Sequence, residues 1–366
     1  MGILNNYAAA RPLRMKIAQI APLTESCPPR LYGGTERVVA SLTDELVRRG
    51  HDVTLFASGD SRTLAKLDAP CERALRLTPG SHDAVAYTTV LVGRIARRAR
   101  EFDILHFHLD HAHFPAMLPL AGRVLTTQHG RLDLPNLRPI FREFPEMGMV
   151  SISEAQRKPF PRANWIATVH NGIPADLHKP GTGRGGYLAF LGRICVEKGI
   201  ERAVAIARSA GEPLKIAAKV DRNDRAYYDE SVAPLLNDSL VTMVGEIGER
   251  EKTGFLGDAR ALLFPIDWPE PFGLVMIEAM ACGTPVIAWR NGSVPEIVEH
   301  GVTGFIVDSL DEAIAAVRAV DRLDRATVRR RFEARFTSAR MADDYLGLYE
   351  AARRPAAERD AANVVA

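Results

Sequence analysis

Short apolar runs alternate with amphipathic stretches along almost the whole chain. MKIAQIA (15–21), HDVTLFA (51–57), FDILHFH (102–108), RVLTTQ (123–128), GMVSIS (148–153) and WIATVH (165–170) form a first series of predicted strands. YLAFLG (187–192), PLKIAA (213–218), LVTMVG (240–245), RALLFP (260–265), TPVIAW (284–289) and TGFIVD (303–308) form a second. Several are apolar at consecutive positions, the pattern of parallel strands covered on both faces. Between them lie segments such as Glu36–Arg49, with Val38, Val39, Leu42, Leu46 and Val47 on one stripe and Gly50 directly after it, as a helix and its terminal glycine require. Strand–helix–strand repetition predicts an α/β fold with open parallel sheets and crossover helices.

The two series are separated by PADLHKPGTGRGGY (174–187), which reads as a linker. At 366 residues the chain exceeds the usual reach of one hydrophobic core. The reading is therefore a first domain over 1–175 and a second over 176–336. A helix over 337–353 packs back on the first domain, and a flexible tail occupies 354–366. Ligands in open α/β sheets bind outside the carboxyl ends of the strands, so two such sheets imply a cleft between domains.

Composition changes this picture little. Apolar residues at 46% and charged residues at 25% can fill two cores, and a net charge of +2 gives no argument for nucleic acid. Arg94, Arg97, Arg98 and Arg100 cluster, as a solvated helix face or, on the second reading, as a peripheral contact with anionic lipid or an acidic acceptor. Cys27, Cys71, Cys195 and Cys282 lie far apart and suggest neither disulfides nor a thiolate metal site. No apolar run approaches the roughly 20 residues of a membrane span, and the start lacks a signal-peptide core. A cytoplasmic location is expected.

The densest chemistry lies in DWPEPFGLVMIEAMACGTPVIA. Glu270 ends a loop after ALLFP, and helical spacing begins near Phe272, with Leu274, Ile277 and Ala281 at core positions. Glu278 falls one turn beyond Leu274. Unpaired N–H groups at a helix start suit a phosphate. Carboxylates beside a diphosphate would repel it, so Glu270 and Glu278 make sense there only as partners of sugar hydroxyls. In FLGRICVEKGI, Arg193 and Lys198 flank the turn from a strand into a helix. Two fixed cations there can hold a diphosphate and stabilise it as a leaving group. Each motif alone reads equally as surface charge; their coincidence at strand ends in one domain favours a site. His129, in TTQHG, also stands at a strand's carboxyl end, as a functional or as a structural histidine.

Together these motifs resemble glycosyltransferase family 4, the retaining GT-B enzymes, over nearly the whole chain. The family's E-x7-E pattern stands as Glu270 to Glu278, and its GR…EKG element as Gly192-Arg193 and Glu197-Lys198-Gly199. Its glycine-rich first loop stands as YGGTERVV with Gly33 and Gly34, and HNGI occupies His170–Ile173. The resemblance implies two Rossmann-like domains whose parallel sheets face each other across a cleft. It implies Arg193 and Lys198 at the donor diphosphate, Glu278 at the ribose, and Glu270 at a hydroxyl of the transferred sugar. Phe272, Gly273 and Leu274 would present N–H groups to sugar and phosphate. Gly34 would let the first domain approach the diphosphate, and His129 would lie near the reacting sugar. One departure is Ala218-Lys219, where the family often has Gly-Lys; a methyl there changes the shape of the base pocket.

The activity so implied is metal-independent, cofactor-free transfer of a hexosyl unit, glucosyl first, with retention. The donor would be a nucleoside diphosphate sugar, UDP-glucose first, and the acceptor an unidentified small molecule or glycan. The opening through YGGTERVVASLTDELVRRGHDVTLFASGDS is similar to a subgroup labelled UDP-glucose:tetrahydrobiopterin glucosyltransferase. Two alternatives differ in class. One is a catalytically silent nucleotide-sugar-binding protein, which the complete charged set disfavours. The other is a zinc hydrolase using HFHLDH, with His106, His108, Asp110 and His111 as ligands. It requires a sandwich order of strands that the strand–helix repetition opposes. GTGRGG (181–186) precedes a strand and therefore is no dinucleotide fingerprint.

Overall fold

The computed structural model describes residues 14–31, 33–78 and 83–354. Two parallel sheets organise them. The first holds β1 (Lys16–Ile20), β2 (Asp52–Phe56), β3 (Lys66–Asp68), β4 (Ile104–Phe107), β5 (Val124–Thr127), β6 (Met149–Ser151) and β7 (Trp165–Thr168), in the order β3-β2-β1-β4-β5-β6-β7. The second holds β8 (Leu188–Arg193), β9 (Leu214–Lys219), β10 (Val241–Gly245), β11 (Ala261–Phe264), β12 (Val286–Trp289) and β13 (Gly304–Val307), in the order β10-β9-β8-β11-β12-β13. All pairings are parallel. All twelve predicted strands are present. β3 is an addition: its KLD carries one apolar residue between charges on an exposed edge, which leaves no period to read.

Consecutive apolar positions serve opposite faces of the first sheet. Ala18, Leu105 and Phe107 pack with Leu91 and Ile95 of the helix Ala84–Arg98. Ile17 and Ile104 pack with Val38, Leu42 and Leu46 of the helix Gly34–Arg48, and with Met341, Tyr345 and Tyr349 of the helix Ser338–Arg353. The last helix thus completes the core of the sheet formed first. Arg49 on one side and Asp343 on the other pair across this contact.

The chain passes between the sheets twice, and the two passages touch. Ile173 N–H donates to Phe336 O at 3.0 Å, and Ser338 N–H donates to Ile173 O at 2.8 Å. A Cβ on Gly172 would lie 2.3 Å from Thr337 O, so only glycine fits where the strands of chain cross. The segment read as a linker has no regular structure, yet it is pinned. Gly181, Gly183 and Gly185 each donate a backbone hydrogen bond at 2.9 Å, to Cys282, Gly257 and Asp258, and His178 is fully buried. Its Gly/Pro content reflects close packing on the second sheet's helices.

The basic cluster is partly neutralised, because Arg94 reaches Asp68 at 3.0 Å and Arg98 pairs with Asp68 and Glu101. No helix among the described residues is long and apolar enough to cross a membrane. The expected tail beyond Arg354 lies outside the described residues.

Tyr345 is 1% exposed at the centre of the terminal helix's contact. Tyr345→Ala should lower unfolding free energy by about 3–5 kcal/mol, read from urea titration. Leu310→Ala, at an exposed position, should stay within about 0.5 kcal/mol.

Candidate active site

The carboxyl ends of both sheets open on one cavity of about 530 Å³. All nine expected residues line it: Gly34, His129, Arg193, Lys198, Glu270, Phe272, Gly273, Leu274 and Glu278. Topology explains their meeting. His129 lies two residues past β5, Arg193 ends β8, Glu270 follows β11, and Gly34 opens the helix after β1.

On the second sheet's side the cations are held by carboxylates. Lys198 ends the turn Val196–Lys198 and pairs with Glu270, which also accepts from Trp268 Nε1 at 3.1 Å. Lys198 Nζ lies 5.4 Å from the centre of the Trp268 ring, whose other neighbour is Arg131 at 5.2 Å. Arg193 reaches Asp224 at 3.4 Å and Asp221 at 3.9 Å, and Asp221 also takes Lys219 at 2.6 Å. Ala218 and Lys219 both line the cavity. The helix expected to begin near Phe272 begins at Leu274, because Gly273, at φ 76°, turns the chain just before it. Its first turn faces the cavity. A Cβ on Gly34 would meet Leu274 Cδ1 at 3.4 Å, an ordinary contact, so the protein itself makes no steric demand for glycine there.

Glu278 is not a solvated helix residue. It is 3% exposed and bonds Lys252 Nζ at 2.7 Å, with Arg37 Nε of the helix Gly34–Arg48 at 3.8 Å. Arg37 also pairs with Glu249, and His178 Nε2 stands 3.1 Å from Glu249. Burial pushes the Glu278 carboxyl upward, but Lys252, Arg37 and His178 outweigh it and hold the pKa down at about 2. Burial likewise lowers His178 to about 4. His178, Glu249 and Glu278 bring ligand-type atoms within 4.8 Å of one another. Arg37 and Lys252 already compensate these carboxylates and would repel a metal ion.

On the first sheet's side, three histidines of the run are held by packing and hydrogen bonds. His106 spends both ring nitrogens at 2.7 Å, on Tyr349 and Thr127. His108 spends both as well, on His129 at 2.8 Å and Gln19 at 2.9 Å. His113 stacks on Phe107 and meets Thr126 at 2.8 Å. The zinc reading of HFHLDH therefore loses His106 and His108, whose ring nitrogens are already engaged, and lacks its sandwich, since the run lies on and just past a strand of a parallel sheet. His129, lowered by burial to about 4, is neutral near pH 7.

Sequence reasoning missed Arg37, Lys252, His178 and Glu249, which surround Glu278, and Glu36, which is buried in the cavity wall. Burial raises Glu36 to about 7. The clue for Glu36 and Arg37 was their place in YGGTERVV, directly after the glycine turn. Lys252 and Glu249 carried no clue beyond a charged helix.

The folded protein holds the Glu278 carboxyl below its ordinary range, so its ionisation adds stability in full above about pH 4.5. That contribution is lost as pH falls toward about 2. Glu278→Gln should therefore be less stable than wild type near pH 7, and the gap should close between these values. Urea unfolding at stepped pH measures it; a constant gap would contradict the assignment.

Comparison with known proteins agrees with this geometry. Residues 179–333 match the family described as Glycosyl transferases group 1, and residues 32–179 match Glycosyltransferase Family 4. The chain is 25% identical over 335 residues to N-acetyl-alpha-D-glucosaminyl L-malate synthase of Bacillus anthracis, covering 81% of this chain and 86% of that one. Sucrose-phosphate synthase from Thermosynechococcus elongatus superposes with a TM-score of 0.73 at 21% identity, over 92% of this chain and 98% of the other. Anabaena HepE in complex with UDP-glucose superposes at 0.69 with 17% identity, over 92% and 100%. With both halves matched, and two parallel-sheet units facing one cavity, the chain belongs to the family-4 type of GT-B glycosyltransferases.

Proposed function

We propose that the protein transfers a hexosyl unit, glucosyl first, from a UDP-sugar to a small-molecule or glycan acceptor, with retention at the anomeric carbon. The observation that carries this is the convergence of Arg193, Lys198, Glu270 and the first turn of the helix Leu274–Ala281 on one cavity wall. Arg193 and Lys198 are already aimed there by Asp224 and Glu270. An entering diphosphate takes over these cations. Glu270 is then released to accept from a hydroxyl of the transferred sugar. Glu278, ionised and fixed by Lys252, offers its carboxylate to the ribose. The structural relative solved with UDP-glucose supports the choice of nucleotide. Similarity to a tetrahydrobiopterin glucosyltransferase subgroup leaves the acceptor open.

In this mechanism the acceptor hydroxyl attacks from the face that the diphosphate leaves. The departing phosphate oxygen takes its proton. Arg193 and Lys198 bind the diphosphate more tightly as its charge grows, so they favour the transition state over the ground state. These cations supply the charge stabilisation that a divalent ion supplies elsewhere, so activity should persist in EDTA. The presence of the whole charged set favours an active enzyme over a silent binding protein. A cytoplasmic site of action is proposed with it.

UDP or UDP-glucose at 100 times its dissociation constant should stabilise the protein by about 2.7 kcal/mol, seen as a thermal shift. No shift with any nucleoside diphosphate or its sugar would remove the donor assignment. Arg193→Ala and Lys198→Ala should each raise the barrier to turnover by about 2–4 kcal/mol. Near-wild-type rates in both would make them surface cations.

The two glutamates should separate in steady-state kinetics with donor varied. Glu270→Gln should chiefly lower kcat, because its contact tightens as positive charge develops on the sugar. Glu278→Gln should chiefly raise the donor KM. The reverse pattern would exchange their roles.

A further inference from the structure

Seven side chains form one hydrogen-bonded chain from the cavity to the terminal helix. His129 Nε2 lies 2.8 Å from His108 Nδ1, and His108 Nε2 lies 2.9 Å from Gln19 Oε1. Gln19 Nε2 donates to Tyr349 Oη at 2.8 Å. Tyr349 Oη meets His106 Nδ1 at 2.7 Å, His106 Nε2 meets Thr127 Oγ1 at 2.7 Å, and Thr127 Oγ1 meets Tyr345 Oη at 2.8 Å. Every member beyond His129 is buried, so each polar atom depends on its neighbour in the chain.

The chain has a direction. An amide oxygen only accepts, so His108 Nε2 carries that ring's proton. A neutral imidazole has one N–H, so His108 Nδ1 accepts, and His129 donates to it from Nε2. His129 Nδ1 is left with the lone pair. That nitrogen has no hydrogen-bond partner among the described residues and is not one of the enclosed atoms lacking one. It is therefore the ring nitrogen open to the cavity that His129 lines. Burial keeps both rings neutral.

We propose that His108 and Gln19 are positioning residues that hold His129 as its Nε2–H tautomer, so that Nδ1 accepts a hydrogen bond from a hydroxyl of the transferred sugar. The sugar's part in this rests on the glycosyl transfer proposed above. The opposite tautomer would aim an N–H, and its positive end, at a sugar that becomes oxocarbenium-like as the bond breaks. A lone pair on a hydroxyl proton instead leaves more electron density on the sugar. Through Gln19 the setting is anchored on Tyr349, so the terminal helix takes part in orienting a group at the cleft.

The test begins with the unliganded full-length chain labelled with 15N-histidine, the His129 signals being identified by their loss in His129→Gln. Between pH 6 and 8 the Nε2 signal should be pyrrole-type and the Nδ1 signal pyridine-type. An Nδ1–H tautomer or an imidazolium overturns the proposal, whether or not the protein transfers sugar. His108→Phe keeps a ring but removes its nitrogens. It should give mixed His129 tautomers and a kcat about tenfold lower, with donor KM changed by less than about threefold. His108→Gln, which retains an acceptor and a donor, should preserve the His129 tautomer and recover most of the rate. If His108→Phe fails to fold, Gln19→Leu removes the one acceptor that sets the direction and should mix the tautomers likewise. An unchanged tautomer in the folded variant, or equal losses in His108→Phe and His108→Gln, overturns the assignment.

Discussion

The buried carboxylate of Glu278 joins the two halves of the molecule. A charge at 3% exposure must be compensated where it sits. One of its cations, Lys252, comes from its own half, and the other, Arg37, comes from the helix after β1 in the opposite half. Removing either partner from such a set costs far more than an exposed ion pair does. The position of the first sheet's edge over the second is thereby tied to an ionisation state. Other contacts between the halves follow the same line. Glu296 accepts from the backbone N–H groups of Glu154 and Ala155 at 2.8 Å and meets His170 at 3.1 Å, and Ser153 donates to Pro271 O at 2.6 Å. The cavity lies within this frame.

The charges on the cavity wall are of a different kind. Arg193 is partly exposed and shared between Asp221 and Asp224. Lys198 is matched by Glu270 and flanked by aromatic rings. Such pairs are exchangeable: an anion with better geometry can replace the carboxylate without any cation leaving its place. In the proposed reaction the carboxylates serve as placeholders that orient the cations in advance, the arrangement by which preorganised electrostatics lowers a barrier. Glu278 cannot exchange in this way, because its compensating charges come from both halves. The distinction between a fixed carboxylate and a released one underlies the different roles assigned to Glu278 and Glu270.

Histidines provide the third component. Of the run LHFHLDHAHF, His106 and His108 are buried at the carboxyl end of β4, which is covered on both faces. Imidazoles in that setting are neutral and must satisfy both nitrogens, and they do so through Thr127, Gln19 and the tyrosines of the last helix. The same burial that removes metal binding gives His129 a defined partner.

The sequence by itself determined the strand series, the α/β class, the division into two sheets and nine of the residues that face the cleft. Those features depend on local period, and on the rule that residues just past parallel strands lie at one edge of a sheet. β3 escaped because three residues with charges at either end carry no period. The start of the helix at Leu274 was misplaced by two residues, because a left-handed Gly273 breaks a run that is otherwise apolar enough to read as helical. What only the tertiary structure decided were the partners. No spacing in the chain relates Arg37 to Glu249, Lys252 to Glu278, or Gln19 to His108 and Tyr349; these pairs are 26 to 330 residues apart or lie in different halves. Which histidine is free, which carboxylate is fixed and which linker is pinned depend on three-dimensional burial and on charge compensation across it, and neither is encoded in any local pattern.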